Sequence, residues 1–93
     1  MYRIVLCWDE VPHDVGAQAA IDIKDEFVQH RHWHQNVSCT WAEIENRVIL
    51  QADNDFDKKG LALMDEFSDA IDAYVKDSGD GGIRIISVTK LDA

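Results

Sequence analysis

One proline, two cysteines and nine basic residues are the scarcities of this 93-residue chain, and each excludes something. With Pro12 as the single proline and a hydrophobic content of 46%, neither a proline-rich linker nor a disordered tail fits the composition. With Cys7 and Cys39 alone, a disulfide scaffold is ruled out, and the length suffices for one core without staples. Both cysteines fall in predicted strands that are not expected to be neighbours. A Cys7–Cys39 bridge is therefore not expected, and reduced thiols in a cytoplasmic protein are. Long apolar runs are absent at the N-terminus, where Ile4 to Trp8 is too short for a signal-peptide core or a membrane span. Bases are outnumbered by 18 acids, leaving a formal charge of −9. Such a surface repels phosphate backbones, so direct nucleic-acid binding is disfavoured and a basic partner, or solubility alone, fits better.

What the chain does have is an ordered set of patterns. Tyr2 to Trp8 is β-branched and aromatic enough for a buried central strand, closed by Asp9, Glu10 and Pro12. A first helix is expected from Asp14 to His30, with Ala17, Ala20, Ile21, Ile23, Phe27 and Val28 in one arc and Lys24 intruding on it. Val37 to Asp53 reads as a hairpin turning at Glu45-Asn46, which pairs Ile44 with Arg47, Trp41 with Leu50 and Cys39 with Ala52. One hairpin face carries Val37, Cys39, Trp41, Val48, Leu50 and Ala52 and is the core candidate.

A second helix is expected from Asp57 to Lys76, its arc running through Gly60, Leu63, Met64, Phe67, Ala70, Ile71, Tyr74 and Val75. Ser78 to Gly82 offers ample left-handed capacity to end it. Ile83 to Leu91 is the last strand, with Ile83, Ile85, Ser87 and Thr89 alternating against Arg84, Ile86, Val88 and Lys90. The order β-α-β-β-α-β predicts an α+β, ferredoxin-like domain spanning 1–93. Its four-stranded antiparallel sheet takes the order 4-1-3-2, with two helices on one face. The core should hold Leu6 or Val5, Ala20, Phe27, Leu50, Leu63, Phe67 and Ile71. The opposite sheet face would show Val5 and Cys7 or Ile4 and Leu6, plus Ile49, and a homodimer through that face is expected.

This fold does not select a function, so the residues must. His30, His32 and His34 cluster where the first helix ends. Helical spacing would put His30 and His34 on one face, and extended spacing all three, enough to present imidazoles to zinc, nickel or copper. The plain alternative is histidines favouring a helix C-terminus. Asp53-Asn54-Asp55-Phe56-Asp57 has calcium-loop spacing, but Lys58 and Met64 occupy the positions that need glycine and a bidentate acid. Capping of the second helix is the expected role. Asp9 follows the first strand, and Met1 to Asp9 resembles over that strand alone the small CRISPR adaptation nucleases of this fold, which carry an aspartate there. Any hydrophobic strand ending in Asp has that likeness, and a turn role is expected. RNA recognition through sheet aromatics would use Tyr2, Trp8 and Trp41, but no basic-aromatic octamer stands on the third strand.

The remaining feature is acidic. Asp22, Asp25 and Glu26 on the first helix and Asp65, Glu66, Asp69 and Asp72 on the second should share the outer layer. A solvated face is one meaning. A docking surface for a basic protein is the other, the logic by which immunity proteins and phage-encoded inhibitors neutralise nucleic-acid-binding enzymes. The leading expectation is a non-catalytic, acidic interaction protein. A small-ligand or metal-binding dimeric sensor, using the histidine cluster or the open sheet face, ranks second, and a small enzyme last. No cofactor beyond that divalent metal is implied.

Overall fold

The computed structural model describes residues 1–76 and 81–91. The elements follow in the expected order: β1 (Tyr2–Trp8), α1 (Gly16–His30), β2 (Gln35–Ala42), β3 (Arg47–Asn54), α2 (Leu61–Tyr74) and β4 (Ile83–Lys90). The strands form one antiparallel sheet in the order β2-β3-β1-β4, the same as 4-1-3-2 read from the other edge. Both helices pack on one side of it, giving the ferredoxin-like α+β arrangement. No helix among the described residues is long and apolar enough to cross a membrane.

Side-chain alternation decides which sheet face is core. Ile4, Leu6 and Trp8 of β1 and Val48, Leu50 and Ala52 of β3 are all buried against Ile23 and Phe27 of α1 and Leu63, Phe67 and Ile71 of α2. Every residue expected in the core is there, with Leu6 rather than Val5 facing the helices. Val5 and Cys7 accordingly belong to the open face, beside Ile49 and Gln51 of β3.

Three expectations need correction, each for a local physical reason. The hairpin closes with four residues rather than two, so Trp41 faces Val48, Cys39 faces Leu50, and Ala42 faces Arg47. Asn46 takes the left-handed conformation at φ 53° that ends this longer turn, and Ile44 stands 95% exposed at its tip. The register moves by two residues, so no side chain changes face. Second, α2 starts at Leu61, not Asp57, because Gly60 adopts φ 76° and breaks the helical path. Asp57 then caps from outside: its carboxylate accepts the N–H groups of Ala62 at 3.2 Å and Leu63 at 2.9 Å. Third, β4 does not alternate strictly. Val5 faces Ser87 while Leu6 faces Ile85, leaving Ile86 as an unpaired bulge. The bulge resets the phase so that Val88 joins Ile83 and Ile85 against the core, where strict alternation would have sent Ser87 and Thr89.

The first helix is also rotated from the expected arc. Its buried stripe is Gly16, Ala19, Ala20, Ile23 and Phe27, while Ile21 is 56% and Val28 53% exposed. A Cβ on Gly16 would lie 2.3 Å from the Trp41 indole. That close approach of helix to ring, made possible by a missing side chain, fixes the rotation from a strand far away in sequence. The left-handed ending assigned to Ser78–Gly82 lies mostly at 77–80, outside the described residues.

Candidate functional site

The histidine cluster is divided by the end of α1. The helix stops at His30, the Arg31 N–H closes it on the Phe27 carbonyl at 3.2 Å, and the His34 N–H turns back onto the Arg31 carbonyl at 3.2 Å. His30 and His32 are exposed, whereas His34 is buried. The His34 Nε2 lies 3.2 Å from both Glu66 carboxylate oxygens, and its Nδ1 lies 3.2 Å from the Asn54 amide nitrogen. Asn54 Oδ1 accepts the N–H groups of Phe56 and Asp57, so its amide nitrogen must face the imidazole. The ring therefore donates through Nε2 and accepts at Nδ1, and neither nitrogen offers a lone pair to a metal. Among the described residues no group of three or more His, Cys, Asp or Glu side chains is placed to hold a metal ion.

Two of the seven acids expected on the outer layer serve this corner instead. Glu66 also accepts from the Arg31 guanidinium at 3.2 Å and the Trp33 indole N–H at 3.4 Å. Glu26 accepts the Tyr74 hydroxyl at 2.8 Å and lies 3.5 Å from Arg31 Nε. The bond to the Glu26 carboxylate holds the Tyr74 phenol above its ordinary pKa, so the hydroxyl remains a donor. Arg31 thus sits between one acid from each helix, with its guanidinium 5.6 Å from the Phe27 ring centroid. Sequence spacing could not show the Glu66 contacts, since Arg31 and His34 are more than thirty residues from it.

The other five acids stay outward. Asp25, Asp65, Asp69 and Asp72 are exposed, and Asp22 is half-buried with Gln18 donating to it at 3.0 Å. None of the five forms a salt bridge with a described residue. Four of them border two hollows, one on each side of α2. Asp22 and Asp25 join Tyr74 around a cavity of 170 Å³ between the helices. Asp65 and Asp72 join Trp8, Met64, Ser68 and Ile71 around one of 330 Å³ beside the start of β4.

The open sheet face has a different electrostatic character. At one end Arg3 meets Asp53 through two 3.0 Å hydrogen bonds, and Asn36 donates to the same carboxylate at 2.9 Å. Burial works against the Asp53 anion, yet Arg3 and Asn36 together hold its pKa below the usual range. At the other end Asp9 accepts from Arg84 at 2.6 Å and lies 3.5 Å from Arg47. The Arg84 bond lowers the pKa of Asp9 despite partial desolvation. Cys7 donates to Asp9 at 3.3 Å, and burial next to that anion raises its thiol pKa. Cys39, on the opposite face, is pushed up to about 12 by burial. Neither thiol is set up as a nucleophile, and their opposite orientations keep them unbridged. Tyr2, Trp8 and Trp41 all lie with the core, so none offers the open face a stacking platform for bases.

Asp9 is thus the anchor of an arginine pair rather than a bare turn residue. Its partners Arg47 and Arg84 come from β3 and β4, a triad that no local motif announces. No protein-family model matches the chain, and no curated protein is similar to it.

Proposed function

We propose that this protein is a non-catalytic interaction module whose acidic helical layer docks onto a basic protein partner. The observation that carries this reading is the disposition of its arginines. Arg3, Arg31, Arg47 and Arg84 are all engaged by acids of the chain itself: Asp53, Glu26 with Glu66, and Asp9 for the last two. None is left to neutralise Asp22, Asp25, Asp65, Asp69 and Asp72. These acids share the two helices with Lys24 as the one opposing charge. Unpaired like charges on one face generate a field that speeds encounter with a surface of opposite sign. The apolar floor of the hollow beside Asp65 and Asp72, Met64 with Ile71, supplies area that a docked partner would desolvate.

The test is a comparative capture from the native host. Wild-type protein and the Asp65→Lys, Asp69→Lys, Asp72→Lys triple variant serve as baits at low and at 0.5 M salt, with folding of both checked by thermal melting. Partners retained by the wild type, lost by the variant and weakened by salt support the reading. A bound set indifferent to the reversal and to salt removes it.

A further inference from the structure

We infer that the open face of the sheet is the contact surface for a second copy of this chain, in a two-fold, face-to-face dimer. The inference rests on charge placement across the sheet and stands apart from the docking reading of the helices.

The protein is strongly anionic, so two copies approaching at random repel. The open face is the exception. It carries Arg3, Arg47 and Arg84 against Asp53 and Asp9, a local excess of one positive charge, and these charges are already paired at its two ends. Between the ends the accessible low-polarity side chains are Val5, Gln51 and Ile49, with Ser87 and Thr40 alongside, while Cys7 opposite Ile49 is itself fully buried. Ile86, lifted by the bulge, adds an apolar side chain 46% exposed at the edge. A copy seated on this face leaves no charge of the face without its own intramolecular partner.

Distance then removes the remaining repulsion. Facing sheets pack roughly 10 Å apart, and each helical layer sits roughly another 10 Å outward. The two acidic layers are therefore roughly 30 Å apart, about three Debye lengths at 0.1 M salt and one at 0.01 M. Area sets the strength. Four strands about 4.8 Å apart and seven residues long at about 3.3 Å each cover roughly 450 Å² per copy. Roughly 900 Å² in total lies below the roughly 1,200 Å² at which stable specific interfaces begin and in the range of weak, transient ones, so the dimer is concentration-dependent. A contact of sheet face on helical layer would use opposite charges but would be head-to-tail, giving a ring or an open chain rather than a two-fold dimer.

The salt response distinguishes these arrangements. Sedimentation equilibrium of the intact chain from micromolar to millimolar should show a monomer–dimer equilibrium that strengthens between 0.01 and 0.15 M salt. Concentration-dependent NMR shifts of the wild type should fall on Val5, Ile49, Gln51 and Ile86 and spare Asp65, Asp69 and Asp72. Ile49→Lys, checked for folding by melting, should weaken the dimer at least tenfold, and Asp69→Lys should not. A monomer at all concentrations overturns the inference. So does association that weakens with salt, or shifts that map to the helices. Partner capture by the helical layer can fail while this equilibrium persists, so the two readings are tested separately.

Discussion

The two faces of the protein hold their charges in opposite ways. On the open sheet face each charged group has been given a partner across strands: Arg3 with Asp53, and Arg47 and Arg84 with Asp9. On the helical layer the ion-paired acids, Glu26 and Glu66, are those drawn inward by Arg31 and His34, while the outer five form no salt bridge among the described residues. A count of charged residues treats all these acids alike. Their environments make three kinds of them: structural, strand-pairing and available. Only the last contributes a long-range field toward solvent.

The largest expected effects test whether the sheet has one core face and one open face. Leu50→Ala and Phe67→Ala, both at fully buried positions, should cost about 2–5 and 3–5 kcal/mol respectively. Ile49→Ala, one residue along β3 on the open face, should cost less than half of the Leu50 value in urea unfolding at low micromolar protein. Equal losses at the two neighbours would erase the distinction.

Next comes the claim that Glu66 is structural rather than available. Glu66→Ala leaves Arg31 and buried His34 short of an acceptor and should cost roughly 1–3 kcal/mol. Asp69→Lys on the same helix should stay within about 0.5 kcal/mol. A harmless Glu66→Ala would return that residue to the docking surface. The cap is expected to be of intermediate size: Asp57→Ala should lose about 1–2 kcal/mol, read from the same unfolding curves, because two N–H groups of α2 lose their acceptor.

The smallest effect concerns pH and the strand-pairing acids. Asp9 and Asp53 have folded pKa values below their ordinary range, so they bind fewer protons folded than unfolded as pH falls. Their stabilising contribution is full above the unfolded carboxylate pKa of about 3.9 and is lost as pH drops through the lower folded values. Asp53→Asn should therefore flatten the fall in stability between about pH 5 and 2, with little change in slope above pH 6. A variant that tracks the wild type through acid would mean that the Arg3 pair carries no net stability.

Much of the architecture was legible because it rests on periodicity. The α2 stripe of Leu63, Phe67, Ala70 and Ile71 repeats at helical spacing and the hairpin alternates at strand spacing, so element order and most core membership follow from local pattern, whereas apolar β1 left the choice between Leu6 and Val5 to the fold. The hairpin register slipped by two without harm, since a two-residue shift preserves which face each side chain takes. The β4 bulge was not legible. Alternation in Ile83 to Lys90 is equally compatible with either phase until Val88 is weighed against Ser87 at a core the strand itself does not contain.

The candidate site was legible only as composition. Sequence placed seven acids on two helices and three histidines at a helix end, correctly as to position. It could not say that Glu66 belongs to His34, that Glu26 belongs to Tyr74, or that Asp9 gathers two arginines, because those partners meet only after the strands and helices have docked. Periodic burial is a property of neighbours three or two residues apart and so is written locally. Charge pairing is a property of distance in space, which the tertiary structure alone decides.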